Sequence, residues 1–547
     1  MASSRPKNAP FLFPRSESSV LPDPSRFFSD ELLSSPLPTN SFFQNFTLYN
    51  GDQAEYFHPY IVNPSVSSLS ISYPSLLQTS AFLYEVFKPD ITISGSKGPD
   101  PHSRKTHLIT SFSDLGVTLD FPSSNLRFFL VRGSPFITFS VSGNSIRIST
   151  SHVVLSLTGN SKSTKYTAKL NNSQAWLIYA SSPIYLTKKD NGSTIYCLGG
   201  FSGIIRIALL PGSSPGFESI LDLFSSCYPV SGDADFTNPF ALEYKWETRG
   251  NGDLLMLAHP LHLKLIANEN RSVAVIDNFR YSSIDGDLVG VVGDSWVLKS
   301  DPVLVTWHSL NGVREDSHQE IISALIRDVN ALDSTAPVTS YFYGKLIARA
   351  ARLAVIAEEV CYLDVIPTIR RYLKKMIEPW LDGSLKPNGF VYESKWGGII
   401  TKQGSTDSRA DFGFGIYNNH HYHLGYFLYA IAVLAKIDPL WGKRYRPQAY
   451  TLMADFMTLG RRGDDNSDFD FPRLRCFDLF KLHSWAGGLS VFADGRNQQS
   501  TSEAVNAYYS AALLGLAYGD IELVAPYLGL QLYFRIRLGR MSKTLVS

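Results

Sequence analysis

A chain of 547 residues, 44% apolar and 18% charged, has ordinary globular composition, which excludes disorder throughout, and it is too long for a single hydrophobic core, so two or three domains are expected. Its 50 basic and 49 acidic residues leave a formal charge of +1, without the long-range field that a phosphate backbone or an anionic membrane requires of a partner. Nucleic acid is therefore not an expected ligand.

Residues 1–40 are rich in Pro and Ser and read as a flexible leader ending at Pro36-Leu37-Pro38-Thr39-Asn40. No sustained apolar stretch marks a signal peptide or membrane span, so the default location is cytoplasmic, although the sequons at Asn45, Asn171, Asn191 and Asn270 are compatible with secretion. From 41 to 285, short β-branched and aromatic runs at 134–142, 145–157, 174–186 and 203–210 alternate with turn residues and predict an antiparallel β-sandwich. Ile146 and Ile148 show the period-two alternation of a sheet with one wet face. Residues 286–339 read as a connecting segment, with a strand at 288–292 and a helix at 316–332. From 340 to 547 the pattern is helical, at 343–360, 365–381, 426–435, 447–459 and 502–518, with Pro447 suited to a first turn. Cys197, Cys227, Cys361 and Cys476 are spaced for neither a metal knuckle nor a dense disulfide framework. Core packing accounts for most of the 28 Tyr, 34 Phe and 8 Trp, and some of their rings suit stacking on sugars.

Two clusters carry candidate chemistry. The first is Asp411-Phe412-Gly413-Phe414-Gly415-Ile416-Tyr417-Asn418-Asn419-His420-His421-Tyr422-His423, where a glycine-rich bend leads into an apolar helix. Three readings stand side by side: a metal site using His420 and His423, imidazoles that brace helix ends, and a polar cleft for a hydroxyl-rich substrate. The second cluster runs from Asp494 through Asn497 and Gln499 to Glu503. Ser500 and Glu503 match a capping box, while an ionised Glu503 at a helix start would also serve as a general base. His483-Ser484-Trp485 between them offers a ring to a sugar face or to the core. The acidic loop at Asp464, Asp465, Asp468 and Asp470 lacks the glycine and glutamate of a calcium loop and reads as solvated.

These residues closely resemble the plant-type members of glycoside hydrolase family 81, endo-β-1,3-glucanases of which some are described as β-glucan elicitor-binding proteins. The resemblance rests on Pro36-Leu37-Pro38-Thr39-Asn40-Ser41-Phe42-Phe43, Tyr341-Phe342-Tyr343-Gly344-Lys345, Lys395-Trp396-Gly397-Gly398, the 411–425 stretch, His483 to Gly488, Glu503 to Tyr509 and Tyr518-Gly519-Asp520. It implies a multidomain β plus α protein: an N-terminal β-sandwich (41–285), a small α/β linker (286–339) and a C-terminal (α/α)6 toroid (340–547). It further implies an inverting mechanism, in which an aspartic acid protonates the glycosidic oxygen while a glutamate deprotonates water. The family continues past the Tyr518 segment, so the resemblance implies an incomplete, truncated toroid. By position, Glu503 falls on the base, Asn419 on the acid and Gln499 on a further glutamate of the family. Asp411 or His423 then remains as a weak source of acid, and Asp411, Tyr417, His420, His421, Trp396, His483, Trp485 and Asn497 are candidate substrate contacts. The expectations are a monomer with no metal or other cofactor, acting on laminarin-like β-1,3-glucan, which places it in the extracellular space or cell wall. The alternatives are a glucan-binding pseudoenzyme and a non-functional truncated chain.

Overall fold

The computed structural model describes residues 12–520 except 35, 79–82, 87, 96–106, 190–191, 213, 239, 267–272, 284, 303, 334, 336, 462–469 and 492–495. Two antiparallel sheets dominate the N-terminal half. One has eight strands, ordered Val154–Gly159, Lys165–Leu170, Ala175–Ala180, Phe201–Leu209, Ile137–Asn144, Leu126–Val131, Gly116–Phe121 and Leu108–Phe112. The other has seven, ordered Leu186–Lys188, Thr194–Cys197, Ile146–Ser149, Ile91–Gly95, Ser68–Ser72, Ile61–Pro64 and Glu55–Tyr56. Residues of both, among them Leu69, Ile93, Leu119, Phe139 and Ile205, share one hydrophobic cluster. The alternation seen in the sequence holds, with Ile146 and Ile148 buried and Arg147 exposed. The run at 145–157, however, is two strands in different sheets. Thr150 Oγ1 accepts the His152 N–H at 3.0 Å, a local side-chain turn that breaks the run. The run at 174–186 is likewise divided, at Ser181-Ser182-Pro183.

Two boundaries are corrected. The described part of the 1–40 leader is tied into the fold: Arg15–Ser16 pairs in parallel with Phe390–Glu393. Phe13, Phe27, Phe28 and Leu37 are buried, and Asn40 Nδ2 donates to the carbonyls of Tyr417 at 2.9 Å and Gly487 at 3.0 Å. Prolines keep this stretch irregular without keeping it out of the core. The line at 286 also cuts through two three-stranded sheets. Leu288–Val292 pairs with Leu255–Ala258 and Ala274–Tyr281, and Ser295–Lys299 pairs with Ala241–Gly250, which forms a hairpin with Cys227–Asn238. A strand's own pattern does not name its non-local partner, so the chain alone misplaces this boundary.

The α-helices among the described residues are α1 (Pro215–Leu223), α2 (Pro260–Leu265), α3 (His318–Asn330), α4 (Ser340–Glu359), α5 (Ile366–Leu381), α6 (His420–Ile437), α7 (Pro439–Met457) and α8 (Thr501–Tyr518). α6 is apolar on nearly every face and packs against α4, α5, α7 and α8, as a helix without a wet side must. Gly425 lets α8 approach, since a Cβ there would lie 2.5 Å from the Ala507 Cα. α6 starts at His420, well before the expected 426, so the three histidines form its first turn. α7 starts at Pro439, with the Asp438 carboxylate accepting the Trp441 N–H at 3.1 Å. Pro447 therefore sits inside the helix, on an exposed face where water can take the carbonyl it leaves unpaired.

None of the four cysteines is disulfide-bonded, and among the described residues no helix is long and apolar enough to cross a membrane. Most of the acidic loop at 464–470 and the segment 521–547, on which the expected incompleteness of the helical ring rests, lie outside the described residues.

Candidate active site

The bend before α6 is left-handed at three successive residues, Asp411 (φ 54°), Phe412 (φ 58°) and Gly413 (φ 81°), and again at Tyr417 and Asn419. Gly415 is required for a different reason, because a Cβ there would lie 2.0 Å from the Gly404 carbonyl oxygen. Asn419, the N-cap of α6 at φ 52°, is a residue type that tolerates this region. Its N–H donates to the Ala486 carbonyl at 2.8 Å, and the Ala486 N–H donates to the Asn497 carbonyl at 3.1 Å. The two sequence clusters are thereby joined by backbone through the 483–488 segment. The side-chain oxygens of Asn419 and Asn497 and the Gln498 Nε2 are buried and bond none of the described residues. Gln499, also left-handed at φ 54°, is exposed.

The histidines are not the lining of an open cleft. His420, His421 and His423 are each 0% exposed. His420 Nε2 lies 2.6 Å from Asp455 Oδ2, and Arg475 Nε donates to the other Asp455 oxygen at 2.7 Å. His421 Nε2 meets Ser484 Oγ at 2.9 Å, and His423 Nδ1 meets Ser340 Oγ at 2.7 Å. The Ser340 hydroxyl donates to Asp411, so His423 Nδ1 is the donor in its own bond and Nε2 is left unprotonated. Phe414 is sandwiched between His420 and His423, with centroids at 4.7 Å on both sides. Of the three sequence readings the structure shows the bracing one, because a helix buried on all sides buries its first turn as well. Among the described residues no group of three or more His, Cys, Asp or Glu could hold a metal ion.

Several expected substrate contacts are corrected for the same reason. Trp396 is 0% exposed; its indole N–H donates to the Pro22 carbonyl at 3.0 Å and its ring meets Phe28 edge-on. Tyr417 is buried against the Arg475 guanidinium, and His483 is buried beside Trp485. Asp411 caps α4 from a distance: its oxygens accept the N–H groups of Ser340 at 2.8 Å and Tyr341 at 3.2 Å, and the Ser340 hydroxyl. These three hydrogen bonds hold the buried carboxylate against the start of α4. Trp485 is half-buried, its indole N–H donates to Asp478 at 2.8 Å, and Arg496 lies over its ring.

Burial pushes the proton affinity of the imidazoles down, to about 4 for His423 and His107 and about 3 for His262, and lowers His58, His420 and His421 as well. A folded value below the unfolded value of about 6.5 means that the unfolded chain binds protons which the native chain refuses. Stability is then complete above about pH 6.5 and is lost as pH falls toward 4, each group contributing up to about 1.4 kcal/mol per pH unit. Glu55, Asp90 and Asp233, raised by burial, act in the opposite sense but are fewer. Thermal melts should therefore show a midpoint falling by several degrees between pH 6.5 and 4.5, and a flat profile would rule out neutral buried histidines.

Glu503 differs from all of these. It is the third residue of α8, and its N–H donates to Ser500 Oγ at 3.3 Å, which is one half of the capping box. The other half is absent, because the Ser500 N–H goes to the Gln498 carbonyl at 2.7 Å. The half-buried Glu503 carboxylate instead takes two tyrosine hydroxyls on one oxygen: Tyr341 donates to Oε1 at 2.7 Å and Tyr426 at 2.8 Å. Oε2 accepts from none of the described residues. Burial and the neighbouring carboxylate raise the Tyr341 phenol to about 12 and push Tyr426 up further, so both remain donors. The starts of α4 and α8 and one face of α6 thus converge on a carboxylate.

Residues 23–310 match the Glycosyl hydrolase family 81 N-terminal domain, and residues 312–533 match the Glycosyl hydrolase family 81 C-terminal domain. The chain belongs to glycosyl hydrolase family 81. This family 81 chain is 60% identical over 521 residues to a glucan endo-1,3-beta-D-glucosidase of Glycine max, covering 95% of the chain and 77% of that relative. A glucan endo-1,3-beta-D-glucosidase of Acetivibrio thermocellus is 25% identical over 519 residues, covering 92% of the chain and 64% of that relative. A solved glycoside hydrolase family 81 structure from Clostridium thermocellum shares the fold, with a TM-score of 0.78 at 23% identity over 95% of this chain and 72% of that one. The family 81 domain junction at 310–312 places Leu288–Val292 and Ser295–Lys299 with the N-terminal domain, in agreement with their sheet partners.

Sequence reading missed the residues that hold this family 81 site together. Tyr426 is the exception in carrying a local signal, because three residues after His423 it lies on the same face of α6, and both rings meet Tyr341. Tyr341, Ser340, Asp455 and Arg475 come from distant segments, and no spacing announces that they meet here.

Proposed function

We propose that this chain binds β-1,3-glucan where the starts of α4 and α8 meet α6, and hydrolyses internal links with inversion: Glu503 takes a proton from the attacking water, and solvent water protonates the departing sugar oxygen, since Asn419 cannot. One observation carries the reading: the Glu503 carboxylate is turned out of its capping role and held by Tyr341 and Tyr426 through a single oxygen. Such a carboxylate is fixed in direction yet keeps Oε2 for a water molecule, as general-base catalysis needs. The names of the Glycine max and Acetivibrio thermocellus relatives support the substrate. Glu503→Gln keeps an acceptor oxygen for both tyrosines but cannot take a proton. Reducing-sugar release from laminarin is expected to fall by about 10²–10⁴ while laminarin binding persists. Unchanged turnover in this variant would remove Glu503 from the mechanism.

A second reading, a glucan-binding protein with little or no turnover, is favoured by Asn419. Its amide cannot donate a titrating proton, and the buried neutral His423 does not replace it. Laminarin binding without reducing-sugar release would select this reading over the first.

A further inference from the structure

We propose that Phe342 and Phe412, together with the Tyr341 ring that touches both, form an aromatic platform that stacks on a glucosyl ring of a glucan bound beside Glu503. The proposal rests on the glucan reading above and adds a subsite to it.

Three rings meet pairwise edge-on at the start of α4: Tyr341 and Phe342 at 5.3 Å, Tyr341 and Phe412 at 5.3 Å, and Phe342 and Phe412 at 5.6 Å. Phe342 is 49% exposed and Phe412 is 51% exposed. A core role would bury these rings. A simple turn would place Gly or Asn at φ 58°, a backbone region that an aromatic residue rarely adopts. The loop is nevertheless held there, because the Asp411 carboxylate grips the N–H groups of Ser340 and Tyr341 and thereby fixes Phe412 against Phe342. Strain of this kind, kept in place by buried hydrogen bonds and ending in an exposed ring, marks a surface built to receive something.

Chemistry and position name the occupant. One ring of the platform belongs to Tyr341, whose hydroxyl donates to Glu503 Oε1 at 2.7 Å, so a ligand on the platform lies next to that carboxylate. A β-linked glucosyl unit presents a flat face of C–H groups that suits an aromatic surface, and equatorial hydroxyls that reach a polar rim. The Lys345 ammonium provides such a rim, 3.4 Å from the Tyr341 hydroxyl.

The test is calorimetric titration of the full chain with laminarihexaose, using wild type, Phe342→Ala/Phe412→Ala, Phe342→Ala alone and Phe412→Tyr. The double variant is expected to bind about tenfold more weakly, Phe342→Ala about threefold more weakly, and Phe412→Tyr, which keeps a ring, within about twofold of wild type. Phe342 lies on a regular helix surface, so its single variant keeps the test decisive if the loop variant does not fold. If wild type binds while Phe342→Ala and the double variant bind equally well, the platform is refuted and the glucan reading stands. If wild type does not bind laminarihexaose, both fall together.

Discussion

Asn419→Asp combined with Gln499→Glu is expected to raise reducing-sugar release from laminarin by about 10²–10⁴, the range that general-acid assistance contributes when a sugar alkoxide must leave. The substitution restores a protonatable group without moving the backbone, because Asp tolerates the left-handed N-cap conformation that Asn419 adopts at φ 52°. Position 419 is also joined to the Glu503 side of the site, through the Ala486 ladder and through Tyr422, whose hydroxyl donates to the Gln498 carbonyl at 2.6 Å. An acid there would act within the same constellation as the base. Gln499 is exposed, so its replacement by Glu adds charge without a burial cost. A soluble, cooperatively melting double variant with no gain in rate would show that position 419 is not where a proton is delivered.

Arg475→Met is expected to destabilise the fold by about 3–5 kcal/mol, the cost of leaving a buried charge without its partner. Asp455 is fully buried and accepts from Arg475 Nε at 2.7 Å, from the Ile399 N–H at 2.9 Å and from His420. Arg475 also donates to Thr39 Oγ1 at 3.0 Å and to the Gly397 carbonyl. One guanidinium thus ties the N-terminal segment, the Gly398–Thr401 strand, α7 and the first turn of α6 together. Removing it strands the Asp455 carboxylate and loosens the turn that carries Asn419, so laminarin binding should weaken along with stability. Urea unfolding followed by tryptophan fluorescence measures the loss, and a shift worth less than about 1 kcal/mol would mean that the charge is compensated elsewhere.

How far the site was legible depended on whether its parts are local. The spacing of Ser500 and Glu503 predicts a helix start, and the serine half of that cap is present. The other half was unreadable, because whether a glutamate caps its own helix or turns outward is decided by what stands opposite, here two tyrosines from α4 and α6. The histidines show the same limit. Their density suggested a polar cleft, yet burial of α6 on all sides placed them inside, each with a partner from a distant segment. Trp396 and Tyr417 were drawn to the surface by the same association of motif with substrate, and packing took them into the core.

Legible in the amino-acid order alone are the family, the β-rich first half and helical second half, and most helix boundaries to within a few residues. These follow from periodicity, turn chemistry and motif, which are properties of neighbouring residues. Long-range packing settles that the described part of the proline-rich N-terminal stretch is tied into the core, that the strands after 286 belong to sheets begun before it, and that Glu503 takes two tyrosine hydroxyls instead of capping its own helix. Those outcomes depend on which distant groups share a burial site, where an unpaired polar atom is costly and the partner that satisfies it can come from anywhere in the chain.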